Sequence, residues 1–88
     1  MEFDWDDENR RHIARHDITP EEAEDAVLIE PLDAAVQYHE TEDRILCFGR
    51  TKAGRLLTVL YTQRRGKLRV VTAYDMTKVQ QRLYFEGK

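Results

Sequence analysis

An α+β fold is predicted for this 88-residue chain by three observations. Two helix-starting signals fall within the first twenty residues. From Ala34 the spacing becomes β-like, with four apolar runs separated by turn-like segments. The last dozen residues return to helical spacing. The resulting order is β-α-α-β-β-β-β-α. A chain of this length has room for one small core, so residues 1–88 are expected to form a single domain.

The opening "EFDW" is a short strand candidate with Phe3 and Trp5 on one side. Asp6 stands where an N-cap belongs, and Asp7 and Glu8 then suit the positive end of a helix dipole. The first helix is expected near residues 7–16. In "DITPEEAEDAV" Thr19 is the cap, Pro20 takes the first helical position and Glu22 completes a capping box. The second helix therefore spans about 20–29, and Pro31 stops it. Ala23, Ala26, Val27 and Glu30 trace one stripe, which gives this helix an inward face of small residues.

"AAVQYHE", "RILCFGR", "LLTVLYTQ" and "KLRVVTAYD" are rich in β-branched, aromatic and aliphatic residues, and "TEDR", "TKAGR" and "RRGK" separate them. An antiparallel meander built mainly from residues 34–74 is the expectation. "ILCF" and "LLTVL" are apolar on both sides, which suits central strands covered on both faces. In "MTKVQQRLYFE" Thr77 can cap a helix over about 77–86, with Val79 and Leu83 one turn apart.

The net charge of −3 conceals a strong asymmetry. Residues 1–43 hold fifteen carboxylates and three arginines, whereas residues 44–88 hold eleven cations and two carboxylates. The basic half can face nucleic acid or an acidic protein, or it can pair with the acidic half on folding. No apolar run approaches the roughly 18–20 residues that span a bilayer. The acidic start "MEFDWDDENR" lacks the basic and apolar regions of a secretory signal, so a cytoplasmic protein is expected. Cys47, inside "ILCFG", has no intrachain partner and reads as a small core residue.

Asn9, His12, Ile13 and His16 share one helical face. Ile13 must point to the core, so the histidines beside it can pack at the sheet margin, hold a metal, or touch a substrate or partner. Two ligands four residues apart need a third or fourth for zinc, and the His-Glu-x-x-His pattern is absent. No metal and no cofactor is expected to be required.

Taken in order, "WDDENRRHIARHDITPEEAEDAV", "EPLDA", "EDRILCFGRT", "RLLTVLYTQR" and "RVVTAYDMTKVQQRLY" resemble the blocks of BrnT-type toxins of prokaryotic type II toxin–antitoxin systems. The more specific parts are Trp5-Asp6 with Asn9 and His16, Glu42 to Arg44 leading into a strand that ends Gly49-Arg50, and the tail from Arg69 to Tyr84. The resemblance covers nearly the whole chain. It implies a RelE-like fold, a metal-independent endoribonuclease that cleaves RNA and arrests translation, and a cognate antitoxin that neutralises it. A dimer or a toxin–antitoxin hetero-oligomer is the assembly it allows. The alternative is a non-catalytic protein-binding module with the same fold.

RNA cleavage without metal needs a base for the 2′-hydroxyl, cations at the phosphate and a donor for the leaving oxygen. Arg50, Arg69, Tyr74 and His16 are the catalytic candidates, and Arg64, Arg65, Arg82, Tyr84 and His12 the RNA-binding ones. Arg50 and Arg69 belong to strands and are held rigidly, whereas Arg64 and Arg65 sit in a turn and suit steering. The chain departs from the resemblance at Tyr74, where many relatives carry arginine, at Gln80 and Gln81, where they are charged, and at Asp17, where they have glycine. Tyrosine delivers no fixed positive charge.

Overall fold

The computed structural model describes residues 1–38 and 40–87, so His39 and Lys88 fall outside the description. Its elements are α1 (Asp7–Ala14), α2 (Pro20–Leu28), β1 (Leu32–Tyr38), β2 (Asp43–Arg50), β3 (Leu56–Arg64), β4 (Lys67–Asp75) and α3 (Lys78–Glu86). The strands form one antiparallel sheet in the order β1-β2-β3-β4, the expected meander. The N-terminal strand is reduced to one parallel bridge between Phe3 and Leu68, fixed by Asp4 N–H to the Leu68 carbonyl (2.8 Å) and Leu68 N–H to the Glu2 carbonyl (3.0 Å). No helix among the described residues is long and apolar enough to cross a membrane.

All three helices begin with a reciprocal capping box, Asp6 with Asn9, Thr19 with Glu22 and Thr77 with Gln80. Each box satisfies two backbone donors that a helix start leaves unpaired. α1 ends at Ala14 rather than near 16, because the chain turns back through Asp17 at φ 58 and the Ile18 N–H returns to the Ile13 carbonyl (3.2 Å). That turn drops Ile18 into the core.

α1 and α2 cover one face of the sheet. Ile13, Ile18, Ala23, Ala26 and Val27 pack there on Leu57, Val59, Val70 and Ala73. The small stripe of α2 lets it lie almost on the strand beneath: a Cβ on Gly49 would stand 1.7 Å from the Ala26 carbonyl oxygen. Cys47 is buried at the same contact, and burial pushes its thiol up to about 12, which keeps it protonated and inert. On the other face Tyr84 of α3, and Met76 just before that helix, pack against Phe48, with Leu32, Leu46 and Leu56 around them. α3 covers only one end of that face.

A bulge decides which side chains share the uncovered end. The β3–β4 register passes from Leu60 opposite Thr72 to Tyr61 opposite Val70, leaving Val71 as the extra residue. Strand alternation would otherwise send Arg69 and Thr72 to opposite faces; the bulge puts them on the same one. Across β2, β3 and β4 the face opposite α1 and α2 therefore reads in rows: Arg44, Thr62, Arg69; then Leu46, Leu60, Thr72; then Phe48, Thr58, Tyr74. Arg50 and Leu56 form the last row.

Candidate active site

The first of these rows floors an open groove of about 250 Å³ that continues around the β4 edge to the exposed side of α1. Its walls include Glu42, Arg44 and Arg64 on the β2–β3 side and Glu8, His12 and Arg69 on the α1 side. Arg64 stands two residues after Thr62 in β3, so strand alternation puts it on the face of Arg44 and Thr62, and Glu42, just before β2, meets it there.

Arg69 is clamped. Nη1 lies 3.0 Å from Asp6 Oδ2 and 3.6 Å from Asp4, Nη2 donates to Asp6 Oδ1 (3.2 Å), and Glu8 stands at 3.8 Å. Its side chain is 9% exposed. The guanidinium bond, followed by the Asn9 amide, holds the Asp6 carboxyl below the ordinary carboxylate range, and Asp6 in turn raises Arg69. The same Asn9 donates its side-chain amide to the Asp4 and Val70 carbonyls (3.0 and 3.1 Å), so α1, the N-terminal segment and β4 are tied together here.

The opposite wall is less settled. Arg64 Nη2 donates to Glu42 Oε1 (3.4 Å), while Arg44 Nε stands 4.0 Å from Glu42 Oε2, beyond hydrogen-bond reach. Among the described residues these two atoms, Glu42 Oε2 and Arg44 Nε, are the buried side-chain atoms that find no hydrogen-bond partner. Leaving a buried charged group unmated costs about 1–3 kcal/mol or more, which is rare without a ligand or a functional reason. The Thr62 hydroxyl beside Glu42, then Arg64 and Arg44, hold its carboxyl below the ordinary range. The one hydroxyl hydrogen of Thr62 goes to the Asp43 carbonyl (2.8 Å), so Thr62 can serve Glu42 only by turning that hydrogen away from Asp43, and as placed it leaves Glu42 Oε2 without a donor.

The other end of the sheet gathers a second cluster, around Arg55. Its Nε and Nη2 grip the Asp75 carboxylate (2.8 and 3.2 Å). Nη1 donates to the Asp17 carbonyl (2.8 Å) and approaches Glu22 (3.3 Å), and Nη2 also reaches the His16 carbonyl (3.2 Å). One side chain thus joins the end of α1, the cap of α2 and the end of β4. Asp75 is lowered chiefly by this contact; Glu22 is lowered first by the Thr19 amide and then by Arg55. His16 is exposed, with its ring 6.2 Å from that of Tyr74, whose hydroxyl accepts from Gln80 Nε2 (3.4 Å).

The candidates read from sequence therefore divide. Arg69, Arg64 and His12 come to the groove. His16 and Tyr74 lie together at the Arg55 end, two rows from Arg69. Arg50 stands in the last row, roughly 20 Å along the sheet from Arg44, with Nε and Nη2 on Glu30 Oε1 (3.0 and 2.7 Å). Arg82 is exposed on α3, and Arg65 occupies the β3–β4 turn. Tyr84 is fully buried with its hydroxyl on the Glu30 carbonyl (2.8 Å), which makes its ring core. Sequence reading passed over Glu42, Arg44 and Arg55 as site residues. The i, i+2 spacing of Glu42 and Arg44 at a strand start was the available signal for the first two. No three His, Cys, Asp or Glu side chains among the described residues come together as a metal-binding group.

Comparison with known families bears on what this arrangement is for. The family described as "Ribonuclease toxin, BrnT, of type II toxin-antitoxin system" matches residues 5–79. The chain belongs to the BrnT family. Its matched region includes both clusters and all four strands, and stops at the first residues of α3. BrnT proteins are ribonuclease toxins, so RNA and an antitoxin are the partners that membership brings. No curated protein gives a significant match.

Proposed function

We propose that this BrnT-family chain is a metal-independent endoribonuclease that cuts RNA in the groove at the uncovered end of the sheet. It thereby arrests translation in the cytoplasm, and a cognate antitoxin holds it inactive in a hetero-oligomer. The observation that carries the reading is one space with phosphate-binding cations, Arg44 and Arg64, a carboxylate, Glu42, and an imidazole, His12, on its walls. Those are the groups that phosphodiester transfer needs: charge at the phosphate and two proton carriers. Arg69, clamped by three carboxylates, serves as a rigid wall rather than a mobile phosphate ligand. Tyr74 lies outside the groove, so the departure from the resemblance at that position leaves the groove's charge intact. The order of two helices, meander and C-terminal helix is compatible with the RelE-like fold that the resemblance implied.

The test is induced expression with and without the antitoxin gene, following growth and RNA integrity. Growth arrest with fragmented RNA, both relieved by the antitoxin, is the expected result. Arrest with intact RNA would favour the binding module instead.

A further inference from the structure

The groove holds an ion pair that is not closed. Glu42 Oε2 and Arg44 Nε face each other at 4.0 Å, both buried and both without a hydrogen bond, while Arg64 reaches Glu42 from the other side. A carboxylate between two guanidiniums occupies the seat that a phosphate would take, since both anions are recognised by the same planar fork of donors. Arg44 and Thr62 are direct cross-strand partners, so the Arg44 side of the seat is set by sheet register, with Glu42 just before the start of β2.

We infer that Glu42 is the general base for the RNA 2′-hydroxyl, and that Arg44 and Arg64 hold the scissile phosphate once it displaces the Glu42 carboxylate from them. This rests on the ribonuclease reading above and names the base within that site. In the step, the 2′-hydroxyl proton passes to Glu42 and the 2′-oxygen bonds to phosphorus. The bond from phosphorus to the 5′-oxygen breaks, and that oxygen leaves with a proton from the His12 imidazolium. The products are a 2′,3′-cyclic phosphate and a 5′-hydroxyl; Glu42 then returns its proton to water and His12 regains one. The displacement also tunes the base. The Thr62 hydroxyl and then Arg64 and Arg44 hold the Glu42 carboxyl low; a seated phosphate takes up the two arginines, so their share of that lowering is relieved and the proton affinity of Glu42 rises.

The experiment compares the full chain with Glu42→Gln and Glu42→Asp on total cellular RNA, with and without ribosomes. Binding of a short fluorescent RNA carrying 2′-deoxy sugars, which has no attacking hydroxyl, is measured by anisotropy, and folding by thermal melting. Glu42→Gln should lower kcat roughly 100- to 10,000-fold, the range for loss of a general base. It should bind the 2′-deoxy RNA as well as the native chain or better, because it removes a competing anion. Glu42→Asp, which keeps the charge but draws it back by one methylene, should lose more than about tenfold in kcat with binding unchanged; it decides the matter should the glutamine variant not fold. If the native chain cleaves and the folded variants stay within about threefold of it, Glu42 is not the base and the ribonuclease reading stands. If the native chain leaves RNA whole with and without ribosomes, that reading falls and this assignment with it.

Discussion

Arg55 and Arg44 stand at opposite ends of one sheet, and their surroundings could hardly differ more. Arg55 has its whole guanidinium engaged, by two carboxylates from α2 and β4 and two backbone carbonyls from the turn after α1. Arg44 faces a carboxylate it does not reach, with a buried Nε that bonds to nothing described. One arginine is used up in holding the fold; the other is positioned with capacity to spare. Residue type therefore says little about role in this chain, and the remaining hydrogen-bonding capacity says much.

Removing each arginine in turn should give reciprocal results. Arg55→Ala leaves Asp75 and two carbonyls without their donor and should cost about 2–4 kcal/mol of stability, lowering the melting temperature by on the order of 10–20 °C. RNA cleavage per folded molecule should be nearly unchanged. Arg44→Ala should change stability by less than about 1 kcal/mol, as for other unclosed or exposed ion pairs, and lower cleavage roughly 100- to 1000-fold. Calorimetry and cleavage assays on the same preparations check both. Equal melting losses would erase the distinction between the two ends.

Acid should act on the stabilising end in the same sense. Asp75 and Glu22 are held below their ordinary values of 3.8 and 4.5 in the folded chain, so their contribution is fully present above those values. It is lost as pH falls through the depressed folded values. The melting temperature should accordingly hold down to about pH 5 and fall below it. In Arg55→Ala the fall should be shallower, since Asp75 then lacks the main cause of its lowered value. Parallel profiles for the two proteins would show that Arg55 does not set the acid limit.

These two ends were not equally legible in the sequence. The helices were readable because each carries its own start signal: Thr19-Pro20 with Glu22, Asp6 before two carboxylates, and Thr77. The meander was readable from period and turns, and its strands extend only slightly beyond the expected 34–74. The groove was not, because it depends on a bulge at Val71 that no residue type announces. Without it Arg69 would face the other way. Arg50 and Arg69 both belong to strands, as expected, yet rows of the ladder separate them, and only register could have shown that. The N-terminal strand fell short for a related reason, since "EFDW" meets one bridging residue before α1 carries the chain away.

The smallest effect is expected in the turn between β3 and β4. Arg65 has φ 54 and Gly66 φ 77, the paired positive values that a two-residue hairpin of type I′ requires. Arginine bears that conformation at a cost, so Arg65→Asn should raise stability by up to about 1 kcal/mol. Cleavage should fall modestly and only at low salt, since an exposed turn charge steers RNA rather than holding it. A large loss at physiological salt would move Arg65 into the site.

The most direct test of the open end as the RNA site is to map a short 2′-deoxy RNA analogue on the protein by amide chemical shifts. The shifts should gather at Arg44, Thr62, Arg64 and Val71 and leave Asp75, Tyr74 and His16 unmoved. A map centred on His16, Tyr74 and Asp75, with the Arg44 row silent, would contradict the account.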